Sequence, residues 1–393
     1  MTIDALLDHI LIPRPNGSAG LTEVAEFISE TLDLAGASVS THEFVATPYG
    51  FQLVWGVVLV LVLGYGAAIT THRYRLALGV IVFIAVLLLL EFEFLWSPVS
   101  GLLTDSEHNV IGTFSGEPAG PTLIFSAHYD TTTHFGDHFS WGRWGFRQGP
   151  ATGLAIALAL TGIWRARREK RLPLAVSLPG AALVSIPFAA MFWFQSVGPV
   201  VRTASPGALD NGGSVAALLG LAERLEAREQ PGTATIKLVF LAAEEERTLG
   251  SWAFAQSLGK TETLAVINLE SIGASRDLAY IEEDGFALVR YHSPPGLIAL
   301  VNQTAVGIWG SALREQRLPA GVLTDGRSFL AHGIPALTLR AFIGDAFPRN
   351  LHSKNDSRDR LVVEGIERAT DLMLALVHTI DRNPSLLRHL QMP

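Results

Sequence analysis

The sequence predicts an α/β protein: a three-layer sandwich around a mixed, mostly parallel central sheet, with two helical transmembrane hairpins inserted into it. Three observations carry this. Outside residues 51–96 and 150–198, short apolar, β-branched runs alternate with stretches of helical apolar spacing. Inside those two blocks the chain is almost wholly apolar. Acidic residues and histidines gather at the ends of the strand-like runs, which is where open α/β sheets bind their ligands.

The chain has 393 residues, enough for one large domain or two small ones. It is 49% hydrophobic and only 17% charged, too apolar for an ordinary soluble protein, and the excess lies in the two blocks. A net charge of −8 argues against nucleic acid as a partner. With no cysteine, disulfides and thiolate metal sites are excluded. The first fifty residues hold Asp4, Asp8, Glu23, Glu26 and Glu30 and have neither the basic start nor the apolar core of a cleavable signal.

Taken in order, 1–50 opens the polar domain and 51–96 forms the first hairpin. Phe51–Ile69 is apolar over about the 20 residues a spanning helix needs. THRYR follows, and Leu76–Leu90 is apolar again. The polar domain resumes over 97–149, and 150–198 repeats the hairpin layout. There Pro150–Trp164 is short for a span, RARREKR forms the tip, and Leu172–Val197 carries Pro179 and Pro187. Residues 199–393 complete the polar domain. Four segments are thus expected in a lipid bilayer. Both tips are basic (His72, Arg73, Arg75; Arg165, Arg167, Arg168, Lys170, Arg171), and short basic loops stay cytoplasmic. The polar domain is therefore expected on the extracytoplasmic or lumenal face.

Within the polar domain, Asn109–Phe114, Thr122–Ala127, Thr235–Ala242, Leu264–Leu269 and Pro335–Leu339 read as strands. Ser214–Ala227, with Ser214 near its start, and Ser251–Leu258 read as helices, and Val362–Ile380 as an amphipathic C-terminal helix.

Against this frame stand His128 and Asp130 in SAHYDT, Asp210 in ALDNGGS, Glu244 and Glu245 in FLAAEEE, Glu270 in INLES and His352 in NLHSKND. Imidazoles and carboxylates converging at strand ends are what a pair of zinc ions takes as ligands. Any one of these strings alone is weak. With TDGRSFLAHGIPAL before the last of them they make six. Six in order, in compatible contexts, resemble the co-catalytic di-zinc aminopeptidase family, which also contains glutamate carboxypeptidases and glutaminyl cyclases. NLE in place of a more usual Asp is similar to membrane-anchored members of the ER and vacuolar type.

That resemblance implies two zinc ions and a peptide substrate. His128 and Glu270 would bind one ion, Glu245 and His352 the other, and Asp210 would bridge them. Glu244 would be the general base toward the attacking water, and Asp130 would orient His128 through its other ring nitrogen. Two departures stand out. Arg247–Thr248 replaces a glycine-containing turn, and TDGRSF lacks a frequent histidine, leaving Asp325 as a pocket or supporting candidate. His134, Asp137 and His138 form a second polar cluster that could line the pocket or be a juxtamembrane loop. The expected activity is that of a membrane-anchored zinc exopeptidase, an aminopeptidase first. The alternatives are a glutaminyl cyclase-like acyltransferase on the same fold and a non-catalytic membrane scaffold.

Overall fold

The computed structural model describes residues 1–136, 145–166, 174–227, 232–258, 264–318, 321–344, 348–387 and 390. They fall into two compact units. Met1–Ala46, Asp105–Thr132 and Ala204–Pro393 make one, and Thr47–Thr104 with Thr133–Thr203 make the other.

Among the described residues the first unit has ten strands: β1 (Ser38–Ala46), β2 (Asp105–Phe114), β3 (Thr122–His128), β4 (Thr235–Leu241), β5 (Leu264–Glu270), β6 (Leu278–Ile281), β7 (Glu283–Asp284), β8 (Tyr291–His292), β9 (Arg314–Glu315) and β10 (Ala336–Ala341). Eight form one mixed sheet in the order β1-β2-β4-β3-β5-β10-β6-β9, and β7 pairs with β8. The central neighbours β4, β3, β5 and β10 run parallel, while the joins β1–β2, β2–β4 and β10–β6 are antiparallel.

Period-two alternation sends the strand side chains to two cores. Leu123, Phe125, Ile236, Leu238, Ile267 and Leu337 pack with helices Ile3–Ile10, Ala19–Leu34, Gly213–Glu226, Pro295–Trp309 and Val363–Arg382. Ile124, Val239, Leu241, Val266 and Ala336 face the other way, against Leu249–Leu258 and Gly326–Ala331. Both faces of the parallel centre are therefore covered, as the near-continuous apolar runs of those strands require. The first two helices start on hydroxyl caps, Thr2 accepting from Ala5 N at 3.2 Å and Ser18 from Leu21 N at 3.2 Å. Parallel β3, β5 and β4 all end at one sheet edge, which places the ends of SAHYDT, INLES and FLAAEEE side by side.

The second unit is helical. Helix Gly50–Thr70 turns through Thr71–Arg73 into Tyr74–Leu88, which continues in a π-helical turn, Leu89–Glu93. Arg73 and Arg75 are exposed at that turn. Helices Gly145–Ala166 and Leu174–Phe192 follow, the latter with Pro179 and Pro187 inside it. Their basic tip (Arg167, Arg168, Lys170, Arg171) lies outside the described residues.

Where the sequence led us to expect four spans, three helical stretches among the described residues are long and apolar enough to cross a membrane. These are Gly50–Thr70, Tyr74–Glu93 and Ala175–Val201, of 21, 20 and 27 residues. The apolar part of the remaining helix, Pro150–Trp164, is shorter. It is nonetheless packed among the others. Tyr65 OH lies 3.2 Å from Thr161 Oγ1, and Trp55 Nε1 donates to Gln195 Oε1. A Cβ on Gly153 would sit 2.8 Å from Phe188, so glycine is what lets these two helices approach.

Candidate metal centre

His128 closes β3 with its ring buried, and Nδ1 faces Asp130 Oδ1 at 3.4 Å. Asp130 is itself fully buried and is a junction rather than a lone partner. Its carboxylate accepts from Asn16 Nδ2 at 3.0 Å and from the backbone N–H groups of Glu244 and Glu245 at 3.2 and 3.1 Å. One carboxylate thus sets the β3 exit against the β4 exit.

Asp210 is delivered by an irregular segment that needs its glycines. Gly207 sits at φ +60°, and a Cβ there would lie 2.2 Å from Thr131 Cγ2. A Cβ on Gly213 would lie 2.0 Å from Ile272 O. The Asp210–Asn211 peptide is cis. Asn211 ties the segment to the β5 exit, donating to Leu269 O and accepting from Ser271 N, both at 3.0 Å. Ser214 makes a similar tie instead of capping its helix: its hydroxyl accepts from Ile272 N at 3.2 Å. Asp356, fully buried, accepts from Leu209 N at 2.7 Å and Asp210 N at 3.2 Å.

Left-handed backbone recurs around the site: Ala243 (φ +55°) before the Glu pair, Arg247 (+74°) and Thr248 (+63°) after it, Ser271 (+50°) after Glu270, and His352 itself (+57°). Non-glycine residues there cost about 1–3 kcal/mol each and cluster at functional sites. Arg247 and Thr248 bear that strain where a glycine-containing turn is more usual.

The side chains converge on Asp210. Its Oδ1 lies 3.1 Å from His128 Nε2, and its Oδ2 lies 3.0 Å from His352 Nε2. Glu270 Oε2 is 3.8 Å from His128 Nε2, and Glu245 Oε1 is 3.1 Å from His352 Nε2. Two donor groups result, His128–Asp210–Glu270 and Asp210–Glu245–His352, with the donor atoms of each within 4.8 Å of one another. Glu244 belongs to neither, although its Oε2 is 3.9 Å from His128 Nε2.

These residues fit zinc. Four ligands at 2.0–2.1 Å around a tetrahedral ion stand about 3.3 Å apart, close to the spacings seen here. His128 Nε2, Glu245 Oε1 and Glu270 Oε2 are buried without a hydrogen-bond partner, a costly state for polar atoms that metal ligation relieves.

The titration behaviour points the same way. Burial raises Glu270 to about 8, with Asp210 adding to it. Burial pushes Glu244 well above its ordinary value, with Asp325, Glu245 and Glu270 adding to it. Burial opposes protonation of His352, but Glu245 and Asp210 raise it to about 10. Such a surplus of negative charge suits divalent cations.

The remaining sequence candidates are placed as follows. Asp325 is buried at the start of Gly326–Ala331 and raised by burial to about 7, and it stands outside both donor groups. His134 belongs to the helical unit, where its ring packs on Phe194 at 4.7 Å. Asp137 and His138 lie outside the described residues.

The participants Arg14 and Asp356 were not picked out from sequence. Arg14 is fully buried, and its guanidinium donates to the carbonyls of Ile10, Ile12, Tyr129, Pro206 and Gly207. Burial lowers it to about 10, against the pull of Asp130, Asp356, Asp210 and Glu245. A lone arginine in IPRPNG has no pattern to announce this, although RPNG before a capped helix marks a turn.

Residues 194–377 match the model of peptidase family M28. That part of the chain is similar to the M28 peptidases. The matched stretch contains Asp210, Glu244, Glu245, Glu270 and His352. His128 and Asp130 lie before it, and the geometry brings them to the same site. Among curated proteins, endoplasmic reticulum metallopeptidase 1 of Mus musculus and of Rattus norvegicus are each 29% identical over 180 residues. That is 44% of this chain but 19% of theirs, so the chain spans about a fifth of those relatives.

Solved structures share the fold at low identity. The LapA aminopeptidase of Legionella pneumophila aligns with TM-score 0.54 at 13% identity, covering 97% of this chain and 70% of that one. Glutaminyl cyclase of Porphyromonas gingivalis gives 0.54 at 14%, covering 96% and 98%. The aminopeptidase of Aneurinibacillus sp. strain AM-1 gives 0.55 at 14%, covering 96% and 93%.

Proposed function

We propose that this protein is a membrane-anchored, zinc-dependent exopeptidase, acting first as an aminopeptidase. The observation that carries the reading is the pair of donor groups joined through the two oxygens of Asp210, with Glu244 beside them and in neither. His128, Asp210 and Glu270 would hold one ion, and Asp210, Glu245 and His352 the other. Bound zinc supplies Lewis acidity toward the peptide carbonyl and toward water. Glu244 takes the proton of the attacking water and passes it to the leaving amine. Asp130 fixes the orientation of His128 and holds the Glu244–Glu245 backbone. The surplus of carboxylates, Glu244, Glu270 and Asp325, favours a substrate with a free amine.

A glutaminyl cyclase-like activity on the same fold is the second reading, favoured by the structural likeness to such enzymes. Two histidine-containing donor groups argue for the peptidase instead. For the anchor, we propose that all four apolar helices span. The fourth, Gly145–Ala166, has 22 residues, or about 33 Å of helix. The basic tips are then cytoplasmic.

The test combines metal analysis with cleavage of a mixed peptide library by the full chain. Two zinc ions per chain and stepwise loss of N-terminal residues are expected. Glu244→Gln should lower the rate about 10²–10⁴-fold with the zinc retained. One ion per chain with conversion of N-terminal glutamine to pyroglutamate overturns the peptidase reading, and an unchanged Glu244→Gln rate removes the base assignment.

A further inference from the structure

Glu244 and Glu245 are adjacent in sequence and divided in space. Glu245 belongs to the donor group of Asp210 and His352, and Glu244 belongs to neither group. Neighbours on one backbone keep different directions only if that backbone is held. Here three successive N–H groups are held by two side chains. Glu244 N donates to Asp130 Oδ1 at 3.2 Å, and Glu245 N to Asp130 Oδ2 at 3.1 Å. Ala243 N donates instead to Asn16 Oδ1 at 3.0 Å. Successive N–H groups beside a left-handed residue form such a concavity for acceptors, and Ala243 is that residue, at φ +55°.

Asn16 uses both ends of its amide. Its Nδ2 donates to Asp130 Oδ2 at 3.0 Å while its Oδ1 accepts from Ala243 N. The reversed amide would set NH₂ against an N–H and oxygen against a carboxylate, so one orientation alone satisfies both partners. The loop that carries Asn16 is pinned on each side of it by other bonds. Arg14 N donates to Thr131 Oγ1 at 3.0 Å, Thr131 N to Arg14 O at 3.1 Å, and Gly17 N to Glu107 Oε1 at 2.7 Å. The amide is therefore not what holds the loop. Ala243 is fully buried, and without Asn16 its N–H loses its acceptor. A left-handed alanine then has less to keep it so, and its relaxation swings the two glutamates that follow.

We propose that Asn16 is the positioning residue for the glutamate pair. By holding the Ala243 turn it aims Glu245 at the ion shared with His352 and keeps Glu244 out of both donor groups, where it can take a proton. This rests on the exopeptidase reading above. Asn16 thus acts on the chemical step through Glu244, and on zinc affinity through Glu245.

The test uses the full chain at saturating zinc and the peptide of the mixed library that the wild type cuts fastest. Asn16→Leu keeps the side-chain volume and removes both bonds, and Asn16→Ala stands in where the leucine does not fold. A fall of about 10–100-fold in kcat is expected with KM within about twofold, as for other residues that orient metal-site groups. In the Glu244→Gln background the same substitution should lower kcat less than about threefold, since residues acting as a unit do not add. Equal losses in both backgrounds, or a raised KM with kcat kept, overturn the role. Failure of both variants to fold also overturns it and assigns Asn16 to the fold. Competition with a chelator of known affinity reads the same turn without turnover, and zinc affinity should fall about 10-fold. Lowered affinity in a chain that cuts no peptide supports Asn16 and overturns the exopeptidase reading alone. Unchanged affinity overturns Asn16 whether or not peptides are cut.

Discussion

Asp210 shows at the scale of one residue how the site is made. Its two oxygens face two histidines, and its backbone N–H is gripped by Asp356. Asp356 lies four residues after His352, so one carboxylate fastens a donor loop to the shared donor. Asp356→Asn would set an amide NH₂ against one of two backbone N–H donors. A loss of about 10–100-fold in zinc affinity is expected. Competition with a chelator of known affinity measures it, and an unchanged affinity removes the positioning role.

Legibility at this scale divides by kind of signal. His128, Asp210, Glu244, Glu245, Glu270 and His352 were legible because each sits in a short string whose order along the chain is diagnostic. Asp356 stood inside one of those strings, yet its role depends on reaching Leu209 N, 147 residues away in sequence. Arg14 carries no string at all. Its meaning lies in what surrounds it after folding.

At the scale of elements, strands fixed by runs of β-branched residues were read closely. Thr122–His128, Thr235–Leu241 and Leu264–Glu270 differ from expectation by a residue at one end. Ser38–Ala46 was not read as a strand because SVSTHEFVA is polar and mostly exposed, and its pairing partner β2 lies beyond the first helical pair. Short β6, between β10 and β9, and β9 at the sheet edge exist through their neighbours rather than by propensity.

What holds the strand exits together is Arg14. It joins the end of helix Ile3–Ile10, the β3 exit at Tyr129 and the Pro206–Gly207 segment that leads to Asp210. Arg14→Met would leave those carbonyls without donors and the nearby Asp130 and Asp356 without a countercharge. A loss of about 3–5 kcal/mol in denaturant unfolding is expected, as for other broken buried charge networks. Arg14→Lys should recover little of it, because an ammonium has three donors and no planar fork. Full stability in either variant sinks the staple.

At the scale of the whole molecule, the apolar helices were legible from length and composition, and the limit of that signal is physical. Pro150–Trp164 is too short by itself, and only its packing against Tyr65 and Phe188 argues that it belongs with the others. The proposed sidedness rests on the basic tips and is open to a direct test, because the chain has no cysteine and any introduced thiol is unique. Glu30 is exposed in the polar unit and Arg73 is exposed at the first tip. In intact cells, a membrane-impermeant maleimide should label Glu30→Cys and leave Arg73→Cys untouched until the membrane is opened, since short basic loops stay cytoplasmic. The opposite pattern would put the polar unit in the cytoplasm. Labelling of both in intact cells would mean that the first pair of helices does not cross and return. Either result would leave the metal chemistry standing, because that chemistry rests on Asp210 and its neighbours and not on the bilayer.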